Sequence, residues 1–126
     1  MPAKPLISIV DDDETARAST LDLVCSMGFA AQAFRQPDDF LESGYIRHTS
    51  CLIADMWMPG MTGLELYSHL VASGHTIPTI LITAFPDNRD RARARQSGVR
   101  CYLAKPFEDK ELFECIHAAL GTGPPN

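Results

Sequence analysis

Residues 51–63 read Cys51-Leu52-Ile53-Ala54-Asp55-Met56-Trp57-Met58-Pro59-Gly60-Met61-Thr62-Gly63. Cys51 to Ala54 is an apolar run of strand length, and it ends on an acid. A run of this kind, bounded by turn signals, reads as a strand buried on both faces. Met58-Pro59-Gly60 supplies the turn. A helix follows from about Gly63 to Ser73, and Gly74 stops it.

The same unit recurs on either side. Leu6 to Val10 is a strand ending in Asp11-Asp12-Asp13-Glu14, and Glu14 to Met27 is a helix with Leu21, Val24 and Cys25 at helical spacing before Gly28. Ala30 to Phe34 is a second strand, and residues 38–44 form a short helix with Phe40 and Leu41 inward. Thr79 to Ile82 and Cys101 to Leu103 are strands, each followed by a helix, over Asp87 to Ser97 (stopped by Gly98) and Glu108 to Leu120. Leu112, Phe113, Ile116 and Leu120 mark the inner face of the last helix. Strand and helix alternate five times, which predicts an α/β, doubly wound five-stranded parallel sheet with right-handed crossovers. Ligands of such sheets bind beyond the carboxyl ends of the strands.

The 126 residues fit one domain, and 45% apolar with 21% charged residues is ordinary for a globular chain. A formal net charge of -5 argues against direct nucleic-acid binding. Cys25, Cys51, Cys101 and Cys115 have no metal-ligand spacing and sit in apolar stretches, so they read as buried free thiols. No apolar run reaches the roughly 20 residues of a membrane span. There is no signal-peptide core after Met1, and a cytoplasmic location is the expectation. Residues 1–121 form the expected domain, with 122–126 as a tail or linker stump.

The polar residues stand where strands end: Asp11 and Asp12 after the first, Asp55 after the third, Thr83 after the fourth, Lys105 after the fifth. One parallel sheet brings them to one edge. Two carboxylates about 4 Å apart repel by roughly 4 kcal/mol at an effective dielectric near 20, so three of them call for a cation. All-oxygen ligation by few protein groups suits Mg²⁺ (or Mn²⁺). Lys105 offsets part of the charge, and Thr83 offers a hydroxyl to a phosphoryl oxygen. A carboxylate nucleophile, a metal, a lysine and a hydroxyl are the parts of phosphoryl transfer without a P-loop or nucleotide-binding glycine motif. Asp13 and Glu14 read as the cap and first turn of the helix.

The segments Ile9-Val10-Asp11-Asp12-Asp13, Ile53 to Gly63, Leu81-Ile82-Thr83-Ala84 and Leu103-Ala104-Lys105-Pro106-Phe107 together resemble the receiver domain of two-component response regulators. The pattern around Asp55 and Lys105-Pro106-Phe107-Glu108-Asp109 looks most like FixJ-type receivers. The resemblance implies the CheY-like, flavodoxin-like (βα)5 fold with strand order 2-1-3-4-5. It implies Asp55 as the phosphoacceptor, served by a histidine kinase. It implies Asp12, Asp55 and the Trp57 backbone carbonyl as metal ligands, with Asp11 reaching the metal through water. Thr83 and Lys105 would grip the phosphoryl oxygens, Tyr102 would be the aromatic that swings inward, and Lys105-Pro106 would be cis. The domain would be a switch rather than an enzyme, reading out through the helix 4–strand 5–helix 5 face, and through a homodimer there when phosphorylated. FixJ-type receivers usually precede a DNA-binding output domain, which implies a transcription-linked role and makes the chain a stand-alone receiver or an excised one.

Two positions depart from the common form. Trp57 and Phe85 each stand two residues beyond a site residue, where the family tunes the lifetime of the phosphoryl group. Two bulky aromatics there predict slow hydrolysis. The helix over 87–97 carries four arginines with only Ala92 and Ala94 as apolar residues, so it should be weakly anchored. Its arginines suit acids such as Glu108, Asp109 and Glu111 across a dimer, or a solvated face. Asp11-Asp12-Asp13-Glu14-Thr15 also fits the pattern of haloacid-dehalogenase-like phosphatases, with Asp11 as nucleophile and Asp13 as acid/base. That alternative leaves the Asp55 segment without a role. A passive interaction module is the third reading.

Overall fold

A computed structural model describes residues 4–121, so the tail expected over 122–126 lies outside the described residues. Five strands, β1 (Leu6–Val10), β2 (Ala30–Phe34), β3 (Thr49–Asp55), β4 (Thr79–Thr83) and β5 (Cys101–Ala104), pair in parallel in the order β2-β1-β3-β4-β5. Between and after them run α1 (Glu14–Ser26), α2 (Pro37–Leu41), α3 (Gly63–Ala72), α4 (Asn88–Ser97) and α5 (Asp109–Ala119). This is the doubly wound α/β architecture with the strand order expected above, and the order reverses between β1 and β3.

Successive strand residues point to opposite faces, so the sheet makes two cores. Leu52, Ala54 and Leu81 face a cluster with Phe40, Leu66, Leu70, Ala94 and Tyr102, beneath α2, α3 and α4. Cys51, Ile53, Ile80 and Ile82 face the other cluster with Ile7, Ile9, Val24, Leu112, Ile116 and Ala119, beneath α1 and α5. Each fully buried Leu or Ile contributes about 1.5–3 kcal/mol.

Local chemistry sets the helix starts. The Asp13 side chain accepts from the Thr15 N–H at 3.1 Å, as expected of a cap. Thr62 accepts from the Glu65 N–H at 3.0 Å while Glu65 accepts from the Thr62 N–H at 2.8 Å, a reciprocal pair that starts α3. Asp87 accepts from the N–H groups of Arg89 and Asp90 and starts α4.

Some expectations need correction. A 3₁₀ turn at Ile46–His48 precedes β3, which begins two residues earlier than its apolar run. The polar Thr49 and Ser50 join the strand because the Thr49 hydroxyl is used twice. It lies 2.7 Å from Ser8 Oγ and donates to the Tyr45 carbonyl at 2.7 Å. The helix expected over 38–44 is shorter and starts earlier, since Pro37 fits a first helical turn. Phe113 is 41% exposed rather than inward; Ala119 takes a place beside Leu112 and Ile116 in the core. All four cysteines are free, but only Cys51 is buried, and there burial pushes its thiol up to about 12. Cys25 is exposed because its helical position turns away from Val24.

One close approach ties the fold to the strand ends. A Cβ at Gly63 would stand 2.5 Å from the Asp55 carbonyl oxygen and 2.8 Å from Leu81 Cδ2. Backbone cannot move aside as a side-chain tip can, so only glycine lets α3 start against β3. Gly63→Ala should lower stability by about 1–3 kcal/mol, read as a reduced urea midpoint at unchanged slope. An unchanged midpoint would contradict this packing.

Candidate functional site

Parallel register carries the strand-end residues to one edge. Val10 pairs with Ala54, so Asp11 and Asp55 follow side by side. Thr83 pairs with Ala104, so Lys105 follows on the next strand. Asp11, Asp12 and Asp55 each place a carboxylate oxygen within 4.8 Å of the others. Asp11 is buried, Asp55 is partly buried, and Asp12 forms the exposed rim.

Each group is held by its surroundings. The Asp11 N–H donates to the Phe34 carbonyl at 3.1 Å, and its own carbonyl accepts from Arg17 Nη1 at 2.9 Å. Asp11 Oδ1 accepts from the Asp13 N–H at 3.0 Å. Lys105 Nζ lies 3.4 Å from Asp11 Oδ2 and 3.7 Å from Asp55 Oδ1. The Lys105 N–H donates to the Thr83 carbonyl at 2.8 Å, and the Lys105-Pro106 bond is cis, as expected. Thr83 is fully buried, and its hydroxyl accepts from the Phe85 N–H at 3.0 Å. Tyr102 lies inward, 9% exposed, with its hydroxyl accepting from the Asp87 N–H at 3.3 Å.

Trp57 and Phe85, two residues beyond Asp55 and Thr83, are 46% and 72% exposed. Trp57 also lines an open groove of about 770 Å³ with Met61, Leu64, His69 and Arg93.

The electrostatics are those of a crowded anion. Burial pushes the Asp55 carboxyl up to about 6; Lys105 opposes that, and Asp11 and Asp12 reinforce it. One ammonium facing three carboxylates leaves the pocket negative. An all-oxygen set of this kind fits a hard divalent cation such as Mg²⁺. The phosphatase alternative gains no support: Asp13, its acid/base, is occupied as the cap of α1.

Sequence reasoning missed two residues and one contact that frame the site. Arg17 lies six positions past the carbonyl it holds and sits on a helix, so no spacing rule finds it. Gly63 was legible as a turn glycine, but its contact with Asp55 is tertiary. Arg91, whose guanidinium stands 4.9 Å over the Tyr102 ring, was hidden among four similar arginines.

The raised Asp55 carboxyl fixes a stability trend. Between its ordinary value of 3.8 and about 6 the folded chain holds a proton that the unfolded chain has released. Stability therefore falls as pH rises through this window, and above it the buried charge exerts its full penalty. In chelator-treated protein, Asp55→Asn should be more stable than wild type at pH 7.5, on the order of 1–2 kcal/mol, with the gain vanishing near pH 4. Melting curves at the two pH values check this; an equal gain at both would contradict it.

The family model of the response regulator receiver domain matches residues 7–117. The chain is 35% identical over 116 residues to nodulation protein W of Bradyrhizobium diazoefficiens, covering 92% of this chain and 51% of that protein. It is 32% identical over 121 residues to the transcriptional regulatory protein FixJ of Azorhizobium caulinodans, covering 96% and 57% respectively. The solved response regulator StyR superposes with a TM-score of 0.86 at 39% identity, over 94% of this chain and 60% of that one. The chain thus spans about half the length of the curated relatives it matches. With its five-stranded parallel sheet and acidic edge, the chain belongs to the response-regulator receiver domains of two-component signalling.

Proposed function

We propose that this receiver accepts a phosphoryl group on Asp55 from the phosphohistidine of a histidine kinase and holds it as a signal. The observation that carries the reading is the cluster of Asp11, Asp12 and Asp55 with Lys105 Nζ 3.4 and 3.7 Å from two of the acids. An Asp55 carboxylate oxygen attacks phosphorus, the P–N bond breaks as the P–O bond forms, and the imidazole leaves with its electron pair. Asp12, Asp55 and the Trp57 carbonyl would hold Mg²⁺ (or Mn²⁺), with Asp11 reaching it through water. When bound, the ion neutralises the acids and the charge on the phosphoryl oxygens.

Lys105 and the Thr83 hydroxyl are the groups placed to meet those oxygens. Thr83 can reach them by releasing the Phe85 N–H that it now accepts. A shift of Thr83 then bears on Tyr102, which lies on the same face of the sheet. Self-catalysed loss of the phosphoryl group belongs to the same site, with Trp57 and Phe85 setting its rate. In a longer protein the domain would govern a DNA-binding output domain in the cytoplasm, since FixJ is by name a transcriptional regulatory protein. The face of α4, β5 and α5 is the surface for a phosphorylation-enhanced homodimer, with the α4 arginines meeting α5 acids. The receiver itself, at net charge -5, would not bind nucleic acid.

Acetyl phosphate with Mg²⁺ should add one phosphoryl group at Asp55, mapped by mass spectrometry, and Asp55→Asn should abolish it. Modification at Asp11 would instead favour the phosphatase alternative, and no modification a passive module. Trp57→Asn and Phe85→Glu should each hasten hydrolysis roughly threefold or more, a barrier change of about 0.7 kcal/mol. Unchanged decay rates would remove the shielding role from both aromatics.

A further inference from the structure

Tyr102 stands inward under α4, and the structure gives a reason outside the family pattern. Tyr102 pairs with Leu81 in the β4–β5 register, and Thr83 lies two residues on, so Tyr102 and Thr83 share the face beneath α4. The ring sits in the core with Leu81, Ala94 and Val99. Three contacts hold it from α4. The Asp87 N–H donates to its hydroxyl at 3.3 Å, the Arg91 guanidinium carbon stands 4.9 Å over the ring, and Arg91 Nη1 reaches the Tyr102 carbonyl at 3.5 Å. The last is at the limit of a hydrogen bond and adds little.

α4 has few other anchors. Ala94 is its one buried residue, and among the described residues none of its arginines forms an ion pair. Arg91 is exposed like its neighbours Arg89, Arg93 and Arg95. Among the described residues, Arg91 alone of the four has a ring beneath it, which sets it apart. Turning Tyr102 outward would break the stacking on Arg91 and the contact at Asp87, where α4 begins. The first turn of α4 and the ring therefore stay together or part together.

We propose that Arg91 is a positioning residue: by stacking on Tyr102 it holds the ring inward, joins α4 to β5, and makes the phosphorylated state easier to reach. The role in switching rests on the receiver reading; the hold on Tyr102 does not. A guanidinium over a tyrosine face at a solvent-exposed position shifts an equilibrium about two- to fivefold. If the inward ring is the competent state, apparent affinity for a phosphoryl mimic falls by the factor by which that state is depleted.

The test uses the full chain as wild type, Arg91→Ala, Arg91→Lys and Arg91→Leu. Tetranitromethane nitration of Tyr102, mapped by peptide mass and normalised to the exposed Tyr45, reads the ring. Trp57 fluorescence during a beryllofluoride titration with Mg²⁺ reads the switch. In Arg91→Ala, nitration of Tyr102 should quicken about two- to fivefold, and the beryllofluoride midpoint should rise by the factor by which the inward population falls. Arg91→Lys, which keeps a cation over the ring, should recover much of both; Arg91→Leu, which keeps bulk alone, should not. Wild-type nitration and midpoint in Arg91→Ala overturn the proposal, and so does full recovery in Arg91→Leu. A wild-type chain that ignores beryllofluoride overturns the phosphoacceptor reading instead, and the nitration rates then decide the hold of Arg91 on Tyr102 by themselves.

Discussion

Three carboxylates share one edge of a parallel sheet with a single lysine, and their mutual repulsion governs the upper half of the molecule. Two like charges about 4 Å apart repel by roughly 4 kcal/mol at an effective dielectric near 20, and the carboxylate oxygens here lie within 4.8 Å of one another. The surroundings answer this piece by piece. Lys105 reaches two of the acids, the Asp13 N–H donates to Asp11, and Arg17 binds the Asp11 carbonyl. Burial, reinforced by Asp11 and Asp12 and opposed by Lys105, still pushes the Asp55 carboxyl up to about 6. The site is assembled at the expense of stability, as sites that await a cation and an anionic group tend to be. The fold bears this because the strands that end there are fully buried below: Leu52, Leu81, Ile9 and Ile80 are closed from solvent on both faces of the sheet.

That constraint also explains what could be read from the sequence. A strand buried on both faces must be apolar throughout, and a strand that ends at a charged site must change character abruptly. Leu6 to Val10 before Asp11 and Cys51 to Ala54 before Asp55 show both features. The elements and the parallel sheet followed, and the strand-end residues met because register leaves them no other place. The unread parts are those in which a distant partner decides. Thr49 extends β3 because its hydroxyl meets Ser8, forty-one positions away. Phe113 was placed inward on helical period alone, whereas α5 already fills the core with Leu112, Ile116 and Ala119. Cys101 and Cys115 were read as buried free thiols, yet both are only partly buried, on β5 and α5, and each is shifted chiefly by the other, the first lowered and the second raised. Arg17 and Gly63 act on the backbone of strand-end acids, and no local pattern announces such contacts.

The helices around the sheet are not equal in how firmly they sit. α5 buries Leu112, Ile116 and Ala119, and α3 buries Gly63, Leu66 and Leu70. α4 buries Ala94 and depends on Tyr102 for much of the rest. It lies over β4 and β5, the strands whose ends carry Thr83 and Lys105. In the proposed switch, a displacement of the Thr83 hydroxyl would be transmitted toward this lightly anchored helix and away from α5, which closes the opposite face. Local stability in proteins varies with buried area, and elements that move are drawn from its low end. The chain therefore combines a rigid strand framework, which brings the acids close enough to need a cation, with one lightly held helix beside it. In the proposed switch, a small change at the acids would move that helix while the sheet stays in place.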